Sequence, residues 1–75
     1  MRAYSVQSTI IEDTGRGLLE TRGPETHGLT QAAAEQEADR LSRDDDASVY
    51  VTWADADGVT GYLNRDGHSP TGHKW

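Results

Sequence analysis

Val49 to Leu63 reads VYVTWADADGVTGYL, and these residues decide the fold. Val49, Val51 and Trp53 alternate with Tyr50 and Thr52, and Val59, Gly61 and Leu63 alternate with Thr60 and Tyr62. Period-two alternation on both sides of Asp57-Gly58 predicts an antiparallel hairpin. Two registers compete. A two-residue Asp57-Gly58 loop sets Trp53 opposite Tyr62 and splits the aliphatic residues between both faces. A three-residue loop, Ala56-Asp57-Gly58, pairs Val51 with Leu63, Trp53 with Gly61 and Asp55 with Val59, and all the aliphatics then share one face. A loop of this length wants a left-handed glycine at its end, and Gly58 is there. Burial of one face is what fixes register, so the three-residue version is expected. Gly61 opposite Trp53 also leaves room for the indole.

Upstream of the hairpin lies a helix. Thr30 is a good N-cap, and Leu29 before it can staple against Ala34. Gln31 to about Arg43 consists mostly of strong helix formers. Ala34, Ala38 and Leu41 form one narrow apolar stripe, while Glu35, Gln36, Asp39 and Arg40 point away from it. Asp44, Asp45 and Asp46 follow. Three acids oppose the macrodipole at a helix C-terminus, so they belong in the connecting loop.

The N-terminal third predicts a weaker hairpin. Residues 3–11 alternate, with Tyr4, Val6, Ser8 and Ile10 on one face. Glu12 to Gly17 is a turn, and Leu18 to Arg22 a short second strand ended by Gly23-Pro24. Thr26-His27-Gly28 reads as loop. At the other end, Asn64 to Gly67 is a turn, and residues 68–75 are a flexible tail unless Trp75 docks. The expected architecture is α+β, in the order β-β-α-β-β. A four-stranded antiparallel sheet has one helix packed on one face, all within a single domain of residues 1–67. The helix should cover Val49, Val51, Trp53, Val59 and Leu63, leaving Tyr50, Thr52, Thr60 and Tyr62 on the opposite face.

Composition limits what such a domain can do. A chain of 75 residues buries only about 60% of its unfolded surface. It has no cysteine, so neither disulfides nor thiolate-held metal reinforce it. Only eleven residues are Val, Ile or Leu, and homodimerisation is one way to enlarge so small a core. Thirteen acids against seven bases give a net charge of −6. Nucleic-acid affinity rests largely on Lys and Arg, so direct nucleic-acid binding is not expected. A protein partner with a basic surface is. No apolar run has the length of a signal peptide or a membrane span, which makes the cytoplasm the expected location.

Chemistry-bearing motifs are sparse. Trp53 to Asn64 superficially matches a calcium loop, with Asp55, Asp57 and Gly58 at its third, fifth and sixth positions. Trp53 and Asn64 then occupy the first and twelfth, where Asp and a bidentate Glu are needed. His68 and His73, with Asp66 nearby, have no zinc-motif spacing and no thiolate, and read as solvated histidines, as does His27. There is no nucleophile elbow, Cys-His pair or phosphate loop. The sequence therefore predicts no catalytic, cofactor or metal site, and a protein that is not an enzyme.

What remains is contact surface. Asp44, Asp45, Asp46, Asp55 and Asp57 can form a negative patch for an Arg/Lys-rich partner, or simply a solvated face. Tyr50 and Tyr62, on the helix-free side, offer area plus hydroxyls, as interfaces favour. The same pair also fits ordinary cross-strand packing, or self-association through that face.

The layout combines an Ala3-Tyr4 strand, a Leu29-Thr30-Gln31 helix entry, a closing hairpin and GYLNRDG from Gly61 to Gly67. In this it resembles some phage anti-CRISPR proteins of the type I inhibitor class, and other small bacterial domains of the same order. The resemblance spans residues 3–67 as a pattern. It implies stoichiometric inhibition of a nucleic-acid-handling complex without catalysis, and it transfers no individual residue. The acidic balance departs from those inhibitors of this layout that bear basic surface.

Overall fold

The computed structural model describes residues 1–43, 47–70, 72, 74 and 75. Asp44, Asp45, Asp46 and His73 lie outside the described residues. The elements are β1 (Ala3–Asp13), β2 (Leu18–Leu29), α1 (Gln31–Leu41), β3 (Ala47–Ala54), β4 (Thr60–Asn64) and β5 (Gly67–Ser69). They build an α+β domain in which one antiparallel sheet, ordered β2-β1-β3-β4-β5, carries a single helix.

The β3–β4 hairpin has the three-residue register. Val51 pairs with Leu63 and Trp53 with Gly61, and the Asp55 N–H donates to the Val59 carbonyl at 3.0 Å. Gly58 closes the loop at φ 81°. A Cβ on Gly61 would sit 2.8 Å from Trp53 Cζ2, so the strand opposite the indole tolerates only glycine without movement.

The core forms where β1 and β3 pair under the helix. Tyr4, Val6, Val49, Val51 and Leu63 are buried from the sheet, Ala34 and Ala38 from α1. Two alanines at i and i+4 let the helix lie close on the sheet. Thr30 caps it, its hydroxyl accepting the Ala33 N–H at 3.2 Å. Leu29 and Leu41 pack at either end of the cluster. The helix ends at Leu41, with Ser42 as its C-cap, two residues before Arg43 was expected to close it.

Three expectations need correction. The sheet has five strands, because Gly67–Ser69 adds β5 through a tight Arg65-Asp66 turn, with Asn64 opposite Gly67. Asn64 Oδ1 accepts the Asp66 N–H there at 2.9 Å, a turn signal that hides a returning strand when the strand is so short. The second strand runs on to Leu29, through Gly23-Pro24 and Thr26-His27-Gly28. It can do so because β2 is at the sheet edge, where a proline's missing N–H costs no ladder bond, and because two bulges absorb the irregular residues. The register slips by one residue between Gln7 and Thr9 and again between Tyr4 and Val6. Gly23-Pro24 and His27-Gly28 thus each stand opposite a single serine, Ser8 and Ser5. Val59 is not under the helix but 54% exposed. An α1 of eleven residues spans only about 16 Å, and it packs on β1, β3 and β2. The alternative left open from sequence, that Trp75 docks, is the one found. The Trp75 N–H donates to the Val49 carbonyl at 2.7 Å, its indole N–H to Asp39 Oδ1 at 2.8 Å, and the Arg65 guanidinium sits 5.5 Å from its ring centroid.

Candidate functional site

Alternation along β3 and β4 sends Val51 and Leu63 under the helix and therefore sends Tyr50, Thr52, Thr60 and Tyr62 to the other side of the sheet. Among the described residues no helix or further strand covers that side, though Pro70 lines it and Gly72 lies close to the Tyr62 ring. Two hollows lie on it. One, of about 270 Å³, is floored by Gln7, Thr9, Tyr50 and Tyr62 and rimmed by Glu20, Arg22 and Glu25 of β2. The other, of about 430 Å³, extends from Ser5 and His27 across Thr52 to Thr60 and Tyr62. Thr52 and Tyr62 line both, so the two hollows make one groove divided by a tyrosine ring.

The groove is held in shape by the bulges of β2. The Gln7 amide donates to the Gly23 carbonyl within the first bulge. Ser5 Oγ and His27 Nδ1 lie 3.2 Å apart at the second, where Glu25 also approaches the imidazole at 3.6 Å. A Cβ on Gly23 would stand 2.7 Å from Ser8 Oγ and 3.2 Å from the Ser8 carbonyl, so glycine permits this close strand approach.

The residues singled out from sequence are thus only partly brought together. Tyr50 and Tyr62 share the first hollow. Asp55 and Asp57 line neither. The Asp55 carboxylate accepts the N–H groups of Asp57 and Val59, both at 2.9 Å, and is occupied in shaping the hairpin turn. Asp57 is exposed at the tip. Asp44, Asp45 and Asp46 are outside the described residues. Glu20, Arg22 and Glu25 were missed: Glu20 and Arg22 sit in the expected second strand, whose register on β1 the sequence did not assign, and Glu25 lies past the Gly23-Pro24 expected to end it. The Pro in an otherwise alternating segment was the available signal: it marks an edge strand as readily as a strand end.

The other side chains of chemical interest are engaged structurally. His68 Nε2 lies 2.8 Å from Tyr4 Oη, which also donates to Gln31 Oε1 at 3.3 Å. The His68 ring stands edge-on to Trp53, and Arg2 covers the Trp53 ring at 4.3 Å. Among the described residues no three His, Asp or Glu side chains converge as a metal cradle, and no helix is long and apolar enough to cross a membrane. On α1, the Arg40 guanidinium hydrogen-bonds Glu37 and holds its carboxyl below the ordinary 4.5. No family model matches the chain, and no match is found among curated proteins or solved structures.

Proposed function

We propose that this chain is a non-enzymatic binding module that takes basic side chains of a protein partner into its open sheet groove. In its finer form, it is a phage- or mobile-element-type inhibitor occupying the basic nucleic-acid groove of a host complex, such as a CRISPR effector. The observation that supports this reading is the groove itself: tyrosine rings on its floor and the Glu20 and Glu25 carboxylates on its rim, on a chain of net charge −6. An arginine entering there stacks its guanidinium on Tyr50 or Tyr62 and meets a carboxylate at the rim. Cation–π contact contributes about 0.5–2 kcal/mol, and the charge-assisted hydrogen bond is among the stronger kinds. Asp57, with Asp44, Asp45, Asp46 and Asp55, adds a field that draws a basic surface in, acting on encounter rate more than on lifetime.

The test is a pull-down from host lysate at low salt, followed by titration of the captured partner. A nucleic-acid-handling protein should be retained, and binding should fall as salt rises. Replacing both Tyr50 and Tyr62 by Ala should weaken it at least about tenfold, the scale of one or two interface anchors. Recovery of no such partner, or indifference to the tyrosines, counts against the proposal.

A further inference from the structure

The edge strand β2 is guarded along only half of its length. From Gly23 to Gly28 it carries two bulges and Pro24, devices that discourage another strand from adding to a sheet. From Leu18 to Arg22 it carries none. There the pairing with β1 is unbroken, from Asp13 opposite Leu18 to Thr9 opposite Arg22, and no described strand lies on the outer side. Among the described residues, β1 pairs with β3 as far as Ile10 opposite Ala47.

This end of the ribbon is apolar on both faces. Leu18 and Ile11, 76% and 38% exposed, are diagonal neighbours on the groove side. Leu19 and Ile10, 51% and 38% exposed, are diagonal neighbours on the helix side. An unguarded edge with exposed apolar side chains beside it is a template for a further strand.

We infer that a second copy of this chain supplies that strand, with β2 pairing antiparallel to β2 across a two-fold axis at Thr21. A two-fold contact must be self-complementary, and this register is. Glu20 stands opposite Arg22 of the second copy, and Arg22 opposite its Glu20, so the ion pair forms twice. Thr21 faces Thr21, a favoured cross-strand pair. Leu19 faces Gly23, which leaves room for the leucine. Moving the axis by one residue, to Glu20, sets Glu20 against Glu20 and Leu18 against Arg22, which repels. Pro24, lacking an N–H, marks where the new ladder stops. The product is one continuous ten-stranded sheet, joined at an edge that takes Glu20 and Arg22 from the rim of the groove but not the tyrosines of its floor.

Sedimentation of the full chain at micromolar concentration tests this. The net charge of −6 on each copy opposes association at long range, so the measurement belongs at physiological salt, where such repulsion is screened beyond about 8 Å. The expected species is a dimer of twice 8.2 kDa. Glu20→Arg alone, or Arg22→Glu alone, should raise the dimer dissociation constant about tenfold or more, since like charges then face each other twice. The double exchange should restore it. Both residues are exposed, and circular dichroism confirms that each variant is folded. Replacing Tyr50 and Tyr62 by Ala should leave the dimer intact, which separates this contact from the proposed partner groove. A wild-type monomer overturns the inference. So does a dimer indifferent to the single exchanges, or one that the double exchange fails to restore.

Discussion

The β3–β4 hairpin and the β1–β2 ribbon share a plan, two antiparallel strands joined by a glycine-bearing turn, yet they distribute their apolar residues differently. In the first, Val49, Val51 and Leu63 all lie under α1, and the register follows from that shared burial. In the second, the shielded end gives Tyr4 and Val6 to the core, while the outer end carries Ile10 and Leu19 on one side and Ile11 and Leu18 on the other. A strand with one buried face has one good register. A ribbon that is apolar on both faces does not declare which side is inside.

The sharpest way to break this contrast is to truncate one leucine in each ribbon. Leu63→Ala removes a fully buried side chain and should cost about 2–5 kcal/mol. That is most or all of what so small a domain has. Leu19→Ala, studied at a concentration too low for self-pairing, should change stability by no more than about 0.5 kcal/mol. Urea unfolding measures both, and equal losses would erase the distinction.

A second, smaller effect tests how tightly the hairpin is fitted. Gly61→Ala forces a methyl against the Trp53 ring and should cost about 1–3 kcal/mol. In a Trp53→Leu background most of that cost should vanish, because the atoms nearest to the new Cβ all belong to the indole. Additive losses in the double variant would mean that the strand, not the ring, resists the methyl.

The smallest effect is pH-dependent and acts through the helix, which packs on β1, β3 and β2. The Glu37 carboxyl is held low by its hydrogen bond to Arg40. A depressed carboxyl pKa contributes stability that is present above 4.5, the unfolded value, and is lost as pH falls through the folded one. Glu37 is at the surface, so the change is slight. Hydrogen exchange should show protection of β3 amides declining through that acid range more in the wild type than in Glu37→Gln, with outer-ribbon amides alike in both.

What could be read from sequence follows the same division. The Val49–Leu63 register, the Thr30 cap and the Ala34/Ala38 stripe were legible, since each is a local signal reinforced by burial. The continuation of β2 was not, because Gly23-Pro24 carries the chemistry of a stop and only its place at the sheet edge makes it a bulge. β5 is three residues long and shows no alternation to detect. Of the candidate site, Tyr50 and Tyr62 were legible from alternation alone. Of the rim, Glu25 was hidden behind the misjudged strand end and Glu20 by the unassigned register of the first hairpin, and the contribution of Asp55 to its own turn emerges only from the two N–H groups that it accepts.

The bulges of β2 carry a consequence in parity. Each inserts one residue against β1, and each by itself would turn every later side chain of the strand to the wrong side of the sheet. Two such insertions cancel. Leu29, opposite Tyr4, leaves the strand facing the same way as Leu19, opposite Glu12, and so delivers the chain in phase to Thr30 and the helix. A loss of one residue between 23 and 28 would therefore be a graver injury than a loss of two, one from each irregularity.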